Sequence, residues 1–526
     1  MEPGANRGIA NESIAADFSI NAAKNTIIYT LSKLYSSLLA FIAIIFLARY
    51  LGVTDFGVYT ILFSFYVILG IGGSFGIGTA FRNKLVHKGA VNSIIINGYF
   101  IAIIFGVVVS IAGLLMSSYM ASLYPQALMV HSNLLFLFEF TSIILFFFVL
   151  NNITISALVA VDKTKQASIA NIIFASLQLT SIIILVLLGY NVFGALFGMM
   201  LGVISSFLIG FGFLLKAVKL KFIMPSKAIL KNLLSYSFPV MVSNIAVLGV
   251  SSFSVIYLGI YVSSFVLGNY SAAFRFARII ETLILSTTFV LVPMFSNAFK
   301  DKNLKARISS IFNNSLYYML LFILPIIVYL ISSAVPLSNL IFSQQYSIAY
   351  LYFQIMILGF GLLAITNFSV ALFVSYGDTK KFMLYQLAIV IIELALFIII
   401  TPFFKIMGAL IFLFFIAPLI SNAIFLKALS SNFSVKLENK IIKLLAPSII
   451  LFAVLYLIAT ALRNAYYTLI INLILIVILY PLLLVKFKLL AQKNIDFIRK
   501  LTLKLPIIGN ILNLLLRYVE IYLNSA

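Results

Sequence analysis

The sequence predicts an all-α, polytopic membrane protein of about 14 transmembrane helices: two six-helix lobes related by a pseudo-two-fold axis along the membrane normal, plus two extra C-terminal helices. Three observations predict it. Of the 526 residues, 63% are apolar and 9% are charged, whereas a soluble protein of this size carries about 25% charged residues. Apolar stretches long enough to cross a hydrocarbon core of roughly 30 Å, about 20 residues each, recur almost without pause. The Lys and Arg residues fall in alternate connections, as they do when one side of the membrane retains them. A soluble enzyme and a disordered chain are excluded on composition alone.

The elements follow in order, with ends good to about 2–4 residues. Residues 1–24 are polar, carry Glu2, Glu12 and Asp17, and contain no apolar run. They do not read as a cleavable signal peptide, and the N-terminus is expected in the cytoplasm. The first lobe, 25–215, holds spans at 25–48, 56–80, 91–118, 132–160, 168–188 and 192–215. A basic linker follows at 216–232. The second lobe, 233–426, holds spans at 233–258, 266–294, 309–334, 347–375, 382–402 and 406–426. A basic connector at 427–443 leads to the last two spans, 444–462 and 465–485, and residues 486–526 form a basic amphipathic tail. Lys is interleaved with apolar residues in these basic segments, as in Lys219-Leu220-Lys221-Phe222-Ile223. That mixture predicts interfacial helices on anionic lipid, so membrane lipids are expected partners.

The net charge of +22 comes from 35 Lys+Arg against 13 Asp+Glu. Taking alternate connections as cytoplasmic places 29 of the 35 cations on that side, from Arg7 and Lys24 through the runs at 82–88, 163–165, 216–231, 300–307, 380–381 and 427–443 to the tail. Only Arg49, Lys405 and Arg463 fall opposite. The split predicts a multi-pass protein of the plasma membrane with both termini in the cytoplasm. It also excludes nucleic acid as a partner, because these cations are scattered over many short turns. The remaining three, Lys33, Arg275 and Arg278, lie inside predicted spans. There is no cysteine, and His87 and His131 lie in different loops. No metal site and no organic cofactor are expected.

Local patterns recur along the chain. Phe56-Gly57-Val58-Tyr59 is echoed by Leu267-Gly268-Asn269-Tyr270, Ala157-Leu158-Val159 by Ala371-Leu372-Phe373, and Phe193-Gly194-Ala195-Leu196 by Met407-Gly408-Ala409-Leu410. The offsets are 211, 214 and 214 residues. Each corresponds to an even number of spans, so the copies share an orientation. Lobes duplicated in this way characterise alternating-access carriers, which enclose a central cavity. The bland alternative is a duplicated scaffold that transports nothing.

The run Ala48-Arg49-Tyr50-Leu51-Gly52-Val53-Thr54-Asp55-Phe56-Gly57-Val58-Tyr59 resembles the first-loop signature of polysaccharide-biosynthesis flippases of the multidrug/oligosaccharidyl-lipid/polysaccharide exporter superfamily. So do Ser235-Tyr236-Ser237-Phe238-Pro239, the stretch from Leu267 to Arg275, and Val292-Pro293-Met294-Phe295-Ser296. The resemblance covers about residues 24–430 in order. It implies a non-enzymatic transporter with no catalytic residues, moving polyprenyl-(di)phosphate-linked oligosaccharides from the inner to the outer leaflet for cell-surface glycan synthesis. Glycosyltransferases or a glycan polymerase are the protein partners it implies. The residues carrying the loop motif are Gly52, Asp55, Gly57 and Tyr59 in the first lobe, with Gly268 and Tyr270 in the second.

Intramembrane charge marks the candidate site, because an Arg at a helix centre costs about 2.5–3.5 kcal/mol even on the lenient insertion scale. At about 1.5 Å per residue, Arg275 lies about 14 Å and Arg278 about 18 Å into the eighth span, and Lys33 about 12 Å into the first. Guanidinium forks match phosphate oxygens, so these cations are the candidate diphosphate-binding groups. Related lipid II flippases place cations on their first and eighth helices, which is similar to this arrangement. Two alternatives stay open: Arg278 has Glu281 at i+3 as an internal partner, and Lys33 can snorkel to the interface. Glu139, Glu281 and Glu393 lie within spans and are candidates for coupling transport to H⁺ or Na⁺, or for protonated packing groups. Asp55 reads most simply as a turn or capping residue.

Two other functions fit parts of the pattern. A cation-coupled multidrug efflux antiporter of the same superfamily would favour a carboxylate-dominated cavity, whereas here the cations match the acids. A membrane glycosyltransferase or glycan polymerase would need an outer domain, yet the longest outer loops, 119–131 and 335–346, are short and lack paired carboxylates.

Overall fold

The computed structural model describes residues 5–84, 91–218, 221, 223–245, 249–299, 304–376, 379–462 and 464–490. Lys88, Lys219, Lys300, Lys302, Arg463 and the tail beyond Leu490 lie outside the described residues, as do the side chains of Arg7, Lys24, Arg82, Lys84, Lys380 and Lys381. The described elements are helical throughout. Ten of the segments are long and apolar enough to cross a membrane. Three of those are double-length, at 54, 55 and 50 residues. Each is a helical hairpin or bend joined without a loop, so together with the helical stretch over 227–261, in which residues 246–248 are outside the described residues, they account for the fourteen predicted spans.

The chain divides into two compact units, Met1–Gly268 and Asn269–Ala526. The division falls inside a helix and not at the basic linker 216–232. In the first unit, α1 (Ala5–Ser74) carries spans one and two, with a sharp bend at Gly52, whose φ of 79° and ψ of 168° are open only to glycine. Phe75 and Gly76 turn the chain again, at φ 46° and 69°, into α2 (Ile77–Lys84). α3 (Val91–Ser122), α5 (Leu134–Ala160), α6 (Thr164–Leu185) and α7 (Asn191–Val218) match spans three to six. Expected outer loop 119–131 is shorter than predicted, because Pro125 starts a further helix, α4 (Pro125–Val130). Span seven is described as α8 (Lys227–Asn244) and α9 (Val250–Tyr261), on either side of residues 246–248, which are outside the described residues. Phe81, Leu158 and Leu214, all fully buried, centre the core where α2, α5 and α7 meet α3 and α8.

The second unit begins within α10 (Ser264–Ala298) and continues with α11 (Leu304–Ser332), α12 (Ala334–Phe342), α13 (Ala349–Tyr376), α14 (Thr379–Ile411), α15 (Ala417–Phe433), α16 (Asn439–Lys443), α17 (Leu445–Ala461) and α18 (Ala465–Lys486). Expected outer loop 335–346 is mostly the helix α12. The Asn464 side chain starts α18 by accepting from the Tyr466 and Tyr467 amides at 2.9 and 3.3 Å.

The local geometry repeats at the offset seen in the sequence. Asn191 has φ 43° and ψ −128°, and Lys405, 214 positions later, has φ 48° and ψ −132°. The same strained turn therefore reverses the chain between spans five and six and between spans eleven and twelve. Buried Asn97 donates to the Ser93 carbonyl at 2.7 Å and accepts from the Ser226 amide at 2.8 Å. Buried Asn313 donates to the Ser309 carbonyl at 3.0 Å and accepts from the Glu438 amide at 3.0 Å. It also donates to the Lys436 carbonyl at 2.9 Å.

These asparagines correct the reading of the connectors. The basic segments 216–232 and 427–443 are not interfacial helices over Lys221, Ile223–Ser226 or Ser434–Glu438, which are non-helical. Flanking helices take up much of each connector, and described non-helical residues between them are pinned by side chains from α3 in the first unit and α11 in the second. Asn92 adds a paired bond, donating to the Lys221 carbonyl at 2.8 Å and accepting from its amide at 3.1 Å.

Candidate functional site

The loop-motif glycines explain themselves sterically. A Cβ on Gly57 would stand 2.0 Å from the Ser264 carbonyl oxygen, and one on Gly268 would stand 2.0 Å from the Val53 carbonyl oxygen. The start of the second span and the first turn of α10 thus meet backbone to backbone, which only glycine permits. Tyr59 and Tyr270 are each buried within their own unit, ring-stacked on Phe56 and Phe274 at 6.2 and 6.1 Å.

Asp55, at the same bend, accepts from His131 Nε2 at 3.0 Å, with both side chains mostly buried. It therefore ties the α1 bend to the segment between α4 and α5, in place of a purely local turn role. Spacing could not reveal this pair, since 76 residues separate its members.

Lys33 is exposed on α1. Its ammonium donates to Asn171 Oδ1 on α6 at 3.4 Å and stands 5.4 Å from the Tyr29 ring centroid. Ser36 donates to the Asn171 backbone carbonyl at 3.2 Å, and Tyr35 and Ser176 are hydrogen-bonded at 3.1 Å. The Asn171 amide nitrogen is buried with no hydrogen-bond partner among the described residues. Lys33 therefore heads a polar strip along α1 and α6. Asn171 was missed from the sequence, although an amide inside an otherwise apolar span is itself a signal.

In the second unit, Arg275 is half-buried and Arg278 exposed. The Arg278 Nε donates to Glu281 Oε2 at 2.8 Å, and its guanidinium lies 5.9 Å from the Phe274 ring centroid. The i+3 pairing is thus the one adopted, and Glu281 is occupied by it. The pair leaves the two terminal nitrogens of Arg278 directed elsewhere, on a side chain that is 46% exposed. Such a guanidinium is oriented by its carboxylate while keeping a two-nitrogen edge for an anion.

Glu393 is half-buried on α14 and accepts from Ser421 on α15 at 2.8 Å. Next to it, Asn422 donates to the Leu362 carbonyl at 2.8 Å and accepts from the Thr366 hydroxyl at 2.8 Å. A polar seam therefore crosses α13, α14 and α15 around one carboxyl group. Glu139 is half-buried on α5 and joins no ion pair or hydrogen bond among the described residues. Among the described residues no group of three or more His, Asp or Glu side chains could hold a metal ion.

Residues 22–299, more than half of the chain, match the family described as polysaccharide biosynthesis protein. The chain belongs to that family. Its fold resembles that of a lipid II flippase MurJ in an inward closed conformation, with a TM-score of 0.70 at 18% identity, covering 88% of this chain and 98% of the other. It also resembles an inward-facing multidrug resistance MATE family transporter of the MOP superfamily, with a TM-score of 0.61 at 14% identity, covering 75% of this chain and 95% of the other. No curated protein matches the chain. At these identities the likeness is one of fold. It identifies this member of the polysaccharide biosynthesis family as a multi-pass helical membrane protein built like transporters of that superfamily.

Proposed function

We propose that the protein is a flippase, moving a polyprenyl-(di)phosphate-linked oligosaccharide from the cytoplasmic to the outer leaflet by alternating access of its two repeat halves. The observation that carries this reading is the intramembrane cation in each half. Lys33 is exposed above the Asn171 amide, and Arg278 is held at Nε by Glu281 with its remaining edge open. Keeping these charges within apolar spans costs several kcal/mol, which a diphosphate headgroup would offset during passage. Arg275, half-buried one turn from Arg278, belongs to the same group.

Glu393, with Ser421 and the adjacent Asn422, is the proposed ion-coupling carboxyl for H⁺ or Na⁺, ahead of Glu139 and the already paired Glu281. The multidrug-antiporter alternative would give transport of organic cations in the same vesicles. The glycosyltransferase or polymerase alternative would give sugar transfer.

The test is reconstitution in liposomes with a fluorescent polyprenyl-diphosphate-linked sugar, following its appearance on the opposite leaflet. Each charge-assisted hydrogen bond to the diphosphate is worth about 1.5–3 kcal/mol, so Lys33→Ala and Arg275→Ala should each slow flipping by about tenfold or more, with Lys33→Arg retaining much of the rate. Wild-type rates in both alanine variants would remove the cations from the substrate path. The chain has no cysteine, so single introduced cysteines report directly whether both termini face the cytoplasm.

A further inference from the structure

One cavity lies apart from all of these residues. It sits within the second unit, at the end of α11 remote from Lys305 and Arg307, where α12 and the starts of α13 and α18 meet the end of α17, and it is a half-open cavity of about 340 Å³. That is the low end of the range for small-ligand pockets, about 300–1,000 Å³, and suits one or two sugar rings.

Its lining is mostly apolar, with a minority of polar groups, and carries no charged residue among those described. The hydroxyls of Ser332, Thr460 and Thr468 each donate back to a backbone carbonyl three or four residues earlier, at 3.1, 2.9 and 2.9 Å, and so keep only acceptor capacity for a ligand. Gln354 donates through Nε2 to the Ile331 carbonyl at 3.0 Å, leaving its Oε1 as an acceptor. The Asn339 amide and the Tyr456 hydroxyl are engaged by no partner among the described residues and can donate as well as accept. The wall between these groups is apolar.

We infer that this cavity is a binding site for a neutral glycosyl group, formed jointly by the second lobe and the two additional helices α17 and α18. The chemistry selects the class. An acceptor-rich, uncharged lining is satisfied by a ligand that brings several hydroxyl donors, and an apolar wall fits the C–H face of a sugar ring. A phosphate, which only accepts, finds neither cation nor enough donors. An organic cation finds no carboxylate. The glycosyl group can reach the cavity on a soluble saccharide or as the headgroup of a membrane glycolipid, and the site stands whatever the transported substrate is.

The chain contains no tryptophan, so Val335→Trp places a single fluorophore in the cavity wall. The full-length protein is placed in phosphocholine-lipid nanodiscs, because glucoside and maltoside detergents would themselves compete. Titration with methyl glucoside and N-acetylglucosamine should change the emission saturably in the millimolar range, whereas glycerol, inorganic phosphate and ethanolamine should not. Asn339→Ala removes a side chain bonded to no described residue and should raise the midpoint about fivefold, as should Gln354→Ala. A saturable response to the free sugars assigns the soluble source. A shifted baseline in nanodiscs doped with monoglucosyl diacylglycerol assigns the glycolipid source. Linear responses to every sugar with no glycolipid effect, midpoints unchanged in both variants, or stronger binding of phosphate or ethanolamine would overturn the proposal.

Discussion

Replacing Gly57 with alanine tests the junction on which the loop motif converges. The new Cβ would lie 2.0 Å from the Ser264 oxygen, 2.8 Å from its carbonyl carbon and 3.1 Å from the Gly268 nitrogen. The closest ordinary C···O approach is about 3.3 Å, so the two segments must separate by roughly 1.3 Å. Every atom in the way is backbone, and no rotamer change relieves the clash. Overpacking of this kind costs typically about 1–3 kcal/mol, and a clash between two backbones belongs at or above the upper end. Better helix propensity for alanine returns at most about 1 kcal/mol, leaving a net loss of roughly 2 kcal/mol or more. At about 2–4 °C per kcal/mol for units of 150–250 residues, the apparent melting temperature should fall by roughly 4–8 °C. The assay is the fraction remaining monodisperse on size-exclusion chromatography after heating in detergent. Gly268→Ala, which meets the Val53 oxygen at 2.0 Å, should behave alike, and Gly212→Ala, with nothing within 4 Å, is the control. If Gly57→Ala melted with Gly212→Ala, the backbone-contact account of the motif would be wrong.

Two further outcomes follow from the repeated geometry. Asn97→Ala and Asn313→Ala should each cost about 1–3 kcal/mol by leaving the Ser226 or Glu438 amide without its acceptor, and limited proteolysis should then cut faster at the corresponding connector. Lys405→Gly and Asn191→Gly should each stabilise by about 1 kcal/mol, because φ of 48° and 43° with ψ near −130° strains any side-chain-bearing residue, and a rise in melting temperature reads it. Unchanged or lowered temperatures in both would mean that the turns are not under strain.

Much of the fold was legible because lipid imposes a coarse rule. A helix must cross about 30 Å of hydrocarbon with its backbone satisfied internally, so runs of apolar residues mark spans to within a few residues. The predicted 444–462 and 465–485 are realised as Leu445–Ala461 and Ala465–Lys486. The rule says nothing about the polar ends. The connectors looked like amphipathic helices by composition, yet buried Asn97 and Asn313 hold parts of them in non-helical form, a long-range effect that local pattern does not carry. The outer stretches 119–131 and 335–346 lack the apolar length of a span and so read as loops, yet each contains a short helix.

At the candidate site, composition and position alone identified Lys33, Arg275 and Arg278 as cations out of place, since the cost of a charge in hydrocarbon does not depend on its neighbours. The sequence by itself also determined the repeat, whose offsets survive because duplicated backbone needs the same small residues at the same turns. What each charge touches was decided by tertiary structure. Arg278 takes Glu281 on its own helix, Lys33 takes Asn171 from 138 positions away, and Asp55 takes His131 from 76. The glycosyl cavity was likewise invisible, because its lining comes from five helices whose polar residues are unremarkable one by one. Spans are specified by the local balance between chain and lipid, whereas hydrogen-bond partners depend on which helix faces pack together, and that is settled only when the whole bundle forms.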